Sequence, residues 1–209
     1  MLKNFLAVDT SNEYLTVVAC KDGVVESEFI ENCSMRHSVT LMNAIDNLLT
    51  KTGWTLSDFD FFSAVVGAGS FTGIRIGISA IKGFCLALNK PALPITSFDV
   101  SAYNSVRERG KKLCLVDALH DAYYVCGYDG ETVVYPPEYI TETQVLSLKE
   151  QGYSLCSCSA LPISEKTEVE RCDPVQGLVN AVQSLASKEK FGELTALYVR
   201  KSSAELNLK

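Results

Sequence analysis

The chain is predicted to be an α/β protein of two lobes, built from a duplicated strand–strand–strand–helix unit. Three observations predict it. A pattern of apolar strand, Asp-led turn, strand, Asp-Gly turn and strand occurs twice. Helix-length segments follow each copy. A glycine-rich loop joins a short apolar strand to a long apolar helix, an arrangement typical of α/β folds.

The first copy runs Phe5-Leu6-Ala7-Val8-Asp9-Thr10-Ser11, then residues 14–20, then Asp22-Gly23, then 24–30. The second runs Leu113-Cys114-Leu115-Val116-Asp117-Ala118-Leu119, then 123–128, then Asp129-Gly130, then 132–135. Asp-Gly between apolar, β-branched runs is a strong hairpin signal. One single-residue gap aligns the two copies. The alternative is two unrelated hairpins that both begin Val-Asp. Residues 35–51 and 74–88 follow the first copy with helical spacing of apolar positions, and 141–150 and 175–186 follow the second.

The loop reads Gly67-Ala68-Gly69-Ser70-Phe71-Thr72-Gly73-Ile74-Arg75-Ile76-Gly77, between a strand at 61–66 and the helix at 74–88. It lacks the Gly-Lys-Ser/Thr ending of a Walker A loop, and its third glycine comes one residue late for a dinucleotide fingerprint. Two readings remain. Its backbone N–H groups and helix N-terminus face an anion, or the glycines serve a tight turn where two backbones meet.

Composition narrows the function. The 209 residues are 47% hydrophobic and 21% charged, with a net charge of −6. That size supports a core without staples. The acidic balance argues against this chain alone gripping a nucleic-acid backbone. No apolar window is expected to span a bilayer, and the N-terminus reads directly into a strand, so a cytoplasmic protein is expected. Eight cysteines are scattered. Cys20, Cys85, Cys114 and Cys126 lie in apolar runs and read as buried free thiols. Cys156-Ser157-Cys158 is a close pair without further ligands at zinc spacing.

The helical segments carry more apolar surface than one contact needs. On a wheel, Met35, Val39, Leu41, Met42, Ala44, Ile45, Leu48 and Leu49 cover roughly 220°. In 74–88 only Arg75, Ser79 and Lys82 form a polar strip, about 60° wide. Gly73, Gly77 and Ala80 offer small positions at helical spacing, which suits close approach of another helix. The second side of such a helix is covered by a partner chain or by a C-terminal helix of this chain.

With Asp9-Thr10-Ser11, the glycine loop resembles the TsaB family of tRNA threonylcarbamoyladenosine biosynthesis proteins. His37-Ser38, Lys82-Gly83, Pro94-Ile95-Thr96-Ser97, Val116-Asp117-Ala118 and the stretch from Leu197 to Glu205 fit as well. The first half matches strongly and 136–190 only loosely. The resemblance implies two actin-like lobes, at 1–100 and 101–209. It implies a non-catalytic subunit that binds the catalytic subunit TsaD. With TsaD and the ATPase TsaE, such a subunit takes part in transferring a threonylcarbamoyl group to N6 of the adenosine beside the tRNA anticodon. It implies tRNA contact only through that complex, and a homodimer when TsaD is absent. Any ATP or ADP with magnesium is held weakly, or only in the complex, at Asp9, Thr10, Ser11, Gly69, Ser70 and Asp117. No metal is expected to bind tightly. The helical faces and the resemblance together put the partner interface at His37, Leu41, Ile45, Leu48, Gly73, Ile74, Gly77, Ile78 and Ile81.

The chain departs from the family pattern at three places. Ala68 replaces a proline, Leu119 an arginine and Ala122 a glutamate. The last two fall in the second Asp turn and weaken it as a phosphate contact. The catalytic paralogue's H-x-x-x-H pair is missing, since the histidines are His37 and His120. Gly-Ser-Phe-Thr-Gly is not the G-x-S-x-G elbow of a hydrolase. The competing reading is a self-sufficient ATPase or glycoprotease-like metallohydrolase, which tight ATP binding by the isolated chain would favour. A kinase fragment is a third, for which the chain is short.

Overall fold

The structure, a computed structural model, describes residues 3–105 and 110–200. Residues 201–205 of the family-like ending lie outside it. The first unit runs β1 (Phe5–Asp9), β2 (Leu15–Lys21), β3 (Val24–Ile30), α1 (His37–Thr52), β4 (Phe61–Val65), α2 (Phe71–Leu88), β5 (Ala92–Ile95) and α3 (Ser97–Ala102). The second runs β6 (Lys111–Asp117), β7 (Ala122–Asp129), β8 (Thr132–Thr141), α4 (Glu142–Glu150), β9 (Ser154–Ser157), β10 (Glu170–Arg171) and α5 (Pro174–Ser187).

The two sheets have the same topology. The first orders its strands β3-β2-β1-β4-β5, and the second, read from its far edge, β8-β7-β6-β9-β10. In each, the first three strands form an antiparallel meander and the later strands add in parallel. This repeated order makes the duplication a structural fact and gives two α/β lobes of one topology. The single-residue gap has a physical location. Asp9 pairs with Thr16 across the first Asp-led turn, but Asp117 pairs with Tyr123 across the second, which is one residue shorter. Leu119, His120 and Asp121 close this shorter turn at φ of 63°, 54° and 54°.

The helices correspond differently from the sequence reading. By position, α4 matches α1 and α5 matches α3. The counterpart of α2 is only a one-turn 3-10 segment, Pro162–Glu165. The second lobe therefore has one helix on its outer face.

Five layers result. α1 and α2 cover one face of the first sheet, where Leu41, Ile45, Leu48, Ile74 and Ile81 pack on Leu6, Val8, Val17 and Phe62. α3 and α5 lie between the sheets, against Phe5, Ala7, Val18 and Phe61 on one side and Cys114, Val116 and Tyr128 on the other. α4 covers the outer face of the second sheet through Val145, on Leu113 and Tyr123. β1 is buried along its whole length because helices cover both faces of its sheet. Capping supports the middle layer. Thr96 and Asp99 cap α3 reciprocally, and Asp173 accepts from the Val175 and Gln176 N–H groups ahead of Pro174.

Two expectations are corrected here. Phe71–Leu88 is, by length and composition, apolar enough to cross a membrane, contrary to the sequence reading. Gly73, Ile74, Gly77, Ile78 and Ile81 form its buried face on the first sheet, and the rest of the helix is partly or fully exposed. Cys85 is half-buried rather than buried, although all eight cysteines are free. Cys114 and Cys156 face each other on neighbouring strands with sulfurs 3.6 Å apart.

A boundary near residue 100 separates the two sheets, but the packing crosses it. After α5 the chain returns over the first lobe. Phe191 packs edge-on against Phe61, Leu194 is buried beneath α2 and its neighbours, and the Leu197 N–H donates to the Val66 carbonyl at 2.7 Å.

Candidate functional site

Between the lobes lies a cleft of about 720 Å³. The first Asp-led turn contributes Ser11, Asn12 and Glu13, and the glycine loop Gly69, Ser70 and Phe71. The second Asp-led turn contributes Asp117 to His120. Ser34, Met35, His37, Tyr124 and Arg200 complete the wall. The sequence therefore anticipated the two Asp turns and the loop meeting at one place. Of the six residues proposed for nucleotide, Ser11, Gly69, Ser70 and Asp117 line the cleft.

Asp9 and Thr10 do not, and the reason is local. Asp9 is 1% exposed. Its Oδ1 accepts from the Ser11 N–H at 2.8 Å and the Ser11 Oγ at 2.6 Å. Its Oδ2 has no partner among the described residues. Burial raises the Asp9 carboxyl above the usual carboxylate range, against the lowering effect of the Ser11 hydrogen bonds. Ser11 Oγ lies 3.0 Å from Ser97 Oγ, which donates to the Ala68 carbonyl. Asp9 thus ties the first turn to the glycine loop and to the start of α3. Thr10 Oγ1 donates to the Gly73 carbonyl at 2.7 Å. Asp117 plays the same turn-closing part more openly, accepting from the Leu119 N–H at 2.7 Å.

The glycine loop resolves toward its structural reading. Ser70 caps α2 by accepting from the Gly73 N–H. The helix therefore begins at Phe71, and Gly73 sits in its first turn rather than in the loop. The Ser70 N–H is engaged by the Ser11 carbonyl at 2.7 Å. A Cβ on Gly69 would lie 2.2 Å from the Ser11 carbonyl oxygen, and one on Gly73 2.0 Å from that of Thr10. These glycines let the first Asp turn dock backbone-to-backbone on the loop.

Both Asp turns are engaged within the protein. One Asp is buried and turned to Ser11, the other holds a backbone N–H, and Leu119 presents an apolar side chain where the turn faces the cleft. Among the described residues, no group of three or more His, Cys, Asp or Glu is arranged to hold a metal ion. His37 is buried with Nε2 2.9 Å from the Tyr14 carbonyl, and His120 is exposed in the turn.

The interface proposed from the sequence has the wrong helical phase. Leu41, Ile45, Leu48, Ile74, Ile78 and Ile81 face the chain's own first sheet, with exposures of 8% or less. His37 is turned to Tyr14. Gly73 and Gly77 are small because Thr10 packs on them, not a second helix. The outward faces carry other residues. Met35, Val39 and Met42 around α1 are 98%, 70% and 51% exposed, and Leu86 on α2 is 87% exposed. Beside it Gly83 has open space around it. α1 and α2 pack side by side on the same face of the first sheet.

One further cluster was missed in the sequence. Tyr198 stacks on Phe71 with ring centroids 4.1 Å apart. Arg75 lies over Phe71, 4.2 Å from its centroid, and its Nε donates to the Tyr198 hydroxyl at 2.8 Å. Arg200 lies over Tyr139 of the second lobe, 4.7 Å from the ring centroid. The C-terminal segment thereby spans both lobes beside the cleft. Arg75 in the loop motif and the Tyr198-Val199-Arg200 ending were its only signals.

A family model described as TsaD, tRNA N6-adenosine threonylcarbamoyltransferase, matches residues 21–186. The tRNA threonylcarbamoyladenosine biosynthesis protein TsaB of Escherichia coli K12 is 31% identical over 125 residues, covering 59% of this chain and 54% of that protein. TsaB of Bacillus subtilis 168 is 30% identical over 119 residues, covering 57% and 52%. The matched stretch thus spans about half the length of these relatives. Among solved structures, YeaZ from Pseudomonas aeruginosa superposes with a TM-score of 0.75 at 21% identity, covering 94% of this chain and all of that one. A second Pseudomonas aeruginosa structure, described as similar to peptidase YeaZ, gives 0.77 at 21% over 95% and 100%. The two structures establish the shared fold. On the family model, the chain belongs to the tRNA N6-adenosine threonylcarbamoyltransferase (TsaD) family, and the two relatives just named are TsaB proteins.

Proposed function

We propose that this chain is a non-catalytic, cytoplasmic subunit in tRNA threonylcarbamoyladenosine biosynthesis, acting by docking a TsaD-type catalytic subunit on the outer faces of α1 and α2. The observation that carries this reading is the outer surface itself. Val39 and Met42 on α1 and Leu86 on α2 are exposed on two adjacent helices. Apolar side chains at helical spacing on paired helices suit an amphipathic partner helix. The engaged His37, the exposed His120 and the turn-closing roles of Asp9 and Asp117 favour a scaffold over an enzyme. TsaE joins, and tRNA is reached, through the complex. Without TsaD, the same face pairs with a second copy.

The test is to mix the chain with TsaD from the same organism and follow size-exclusion chromatography. The parent should co-elute with TsaD. Val39→Glu and Leu86→Glu should fold and lose co-elution. Parent-like complex formation by both variants would remove the docking face from the proposal. Metal-dependent peptidase or transferase turnover by the purified chain would overturn the non-catalytic assignment.

A further inference from the structure

Charge on the outer face is distributed unlike charge on the rest of the chain. The protein as a whole carries −6. Yet α2 has two charged residues, Arg75 and Lys82, and both are basic and exposed. Seven residues apart, they lie on one strip, about 10 Å along the axis, with Ser79 between them and Leu86 following. α1 adds Asp46 as its one acid, while Lys51 is matched to Glu26. Arg36, at the start of α1, is a further exposed cation.

Neither Arg75 nor Lys82 has an acidic partner among the described residues. Arg75 is nonetheless held in place. Its guanidinium lies on Phe71, and its Nε is fixed by the Tyr198 hydroxyl. Its remaining N–H groups have no partner among the described residues. A planar guanidinium held this way is preorganised for a carboxylate.

We propose that the occupant of this face is an acidic amphipathic helix of the docked subunit, with carboxylates two turns apart facing Arg75 and Lys82 and apolar residues seated on Val39, Met42 and Leu86. This rests on the docking reading above and adds the chemistry of its partner. It also distinguishes partners. A two-fold contact that brings α2 against α2 sets Arg75 and Lys82 against like charges, whereas an acidic helix neutralises both. Charge on α2 thus selects a different chain over a second copy of this one.

The experiment is a titration of TsaD with the parent, Lys82→Glu, the double variant Arg75→Glu/Lys82→Glu and Val39→Glu, at about 50 and 500 mM salt. Lys82 is exposed and makes no hydrogen bond or ion pair among the described residues, so Lys82→Glu separates charge from folding. The expected result is weaker parent binding at high salt, tenfold or greater loss in the double variant, and a smaller loss for Lys82→Glu. Self-association should instead strengthen with salt. If Val39→Glu loses TsaD while both charge variants bind like the parent at either salt, the acidic-helix inference is wrong and the docking reading stands. If Val39→Glu also binds like the parent, the docking reading fails and takes this inference with it.

Discussion

Thr10 and Gly73 hold the first Asp-led turn against α2. The Thr10 hydroxyl donates to the Gly73 carbonyl at 2.7 Å, and the Thr10 carbonyl oxygen occupies the space a Cβ on residue 73 would take, 2.0 Å away. Both partners at that contact are backbone, so neither yields cheaply. Gly73→Ala should destabilise the protein by about 2–4 kcal/mol, at or above the usual cost of overpacking. Gly77→Ala should cost less, because its nearest neighbour is the Thr10 side-chain oxygen at 2.6 Å, which can rotate. Gly83→Ala meets open space and should stabilise by up to about 1 kcal/mol through helix propensity. Urea melts of the three variants check this order, and equal costs would show that the close approach is not the constraint.

The burial pattern predicts which helix substitutions unfold the chain. Ile45→Glu and Ile81→Glu bury an unpaired carboxylate and should cost several kcal/mol. Val39→Glu, on the outer face, should leave the melting temperature within a few degrees. Circular dichroism melts compare them directly. A folded Ile81→Glu would mean that α2 does not pack on the sheet as described.

Asp9 makes a signed prediction for pH. Its folded carboxyl is raised by burial, so the folded state holds this proton more tightly than the unfolded chain. For a raised acid, stability falls as pH rises from the unfolded value, about 3.9, through the folded one, and is level above it. Asp9→Asn keeps the Oδ1 acceptor for Ser11 and removes the ionisation. It should therefore flatten the stability profile just above pH 4, relative to the parent. Asp9→Ala should cost about 1–3 kcal/mol, by stranding the Ser11 donors. Denaturant melts from pH 4 to 8 make the comparison, and identical parent and Asn slopes would remove Asp9 from the titration.

Nucleotide should bind the isolated chain weakly. Calorimetry with ATP and magnesium should give an affinity no better than about millimolar, near −4 kcal/mol. Neither Asp turn offers a free carboxylate pair, and Leu119 occupies the cleft side of the second. A micromolar constant would make the cleft a working ATP site.

The returning C-terminal segment should contribute measurably to the first lobe. Leu194 is 1% exposed, and Leu194→Ala should cost about 2–5 kcal/mol. Tyr198→Ala should cost only about 0.5–1.5 kcal/mol, since its stack on Phe71 is at the surface. Thermal melts separate the two, and a silent Leu194→Ala would detach the segment from the core.

The duplicated meander, the hairpin turns and the helix-forming segments were all legible in the residue order. Their signals are local: alternation of apolar residues, Asp-Gly at the turns, and helical spacing within a dozen residues. The cleft was half legible. Ser11, Gly69, Ser70 and Asp117 came from the family resemblance, but which Asp faces solvent depends on neighbours distant in sequence. Asp9 is covered because the glycine loop and α3 close over it through Ser11, Ser97 and Ala68.

The sequence by itself determined the α/β class, the repeat and the loop's place between strand and helix, because those follow from short-range periodicity and turn preference. Only the tertiary structure decided the phase of the helices. α2 is apolar outside one narrow polar strip, so its pattern does not say which part of its broad apolar side faces the sheet. The carbonyl and hydroxyl of Thr10 meeting Gly73 and Gly77 select one, placing Ile74 and Ile81 inside and Arg75, Lys82 and Leu86 outside. A contact between residues more than sixty positions apart carries no local signal, and here it sets which surface the protein offers to a partner.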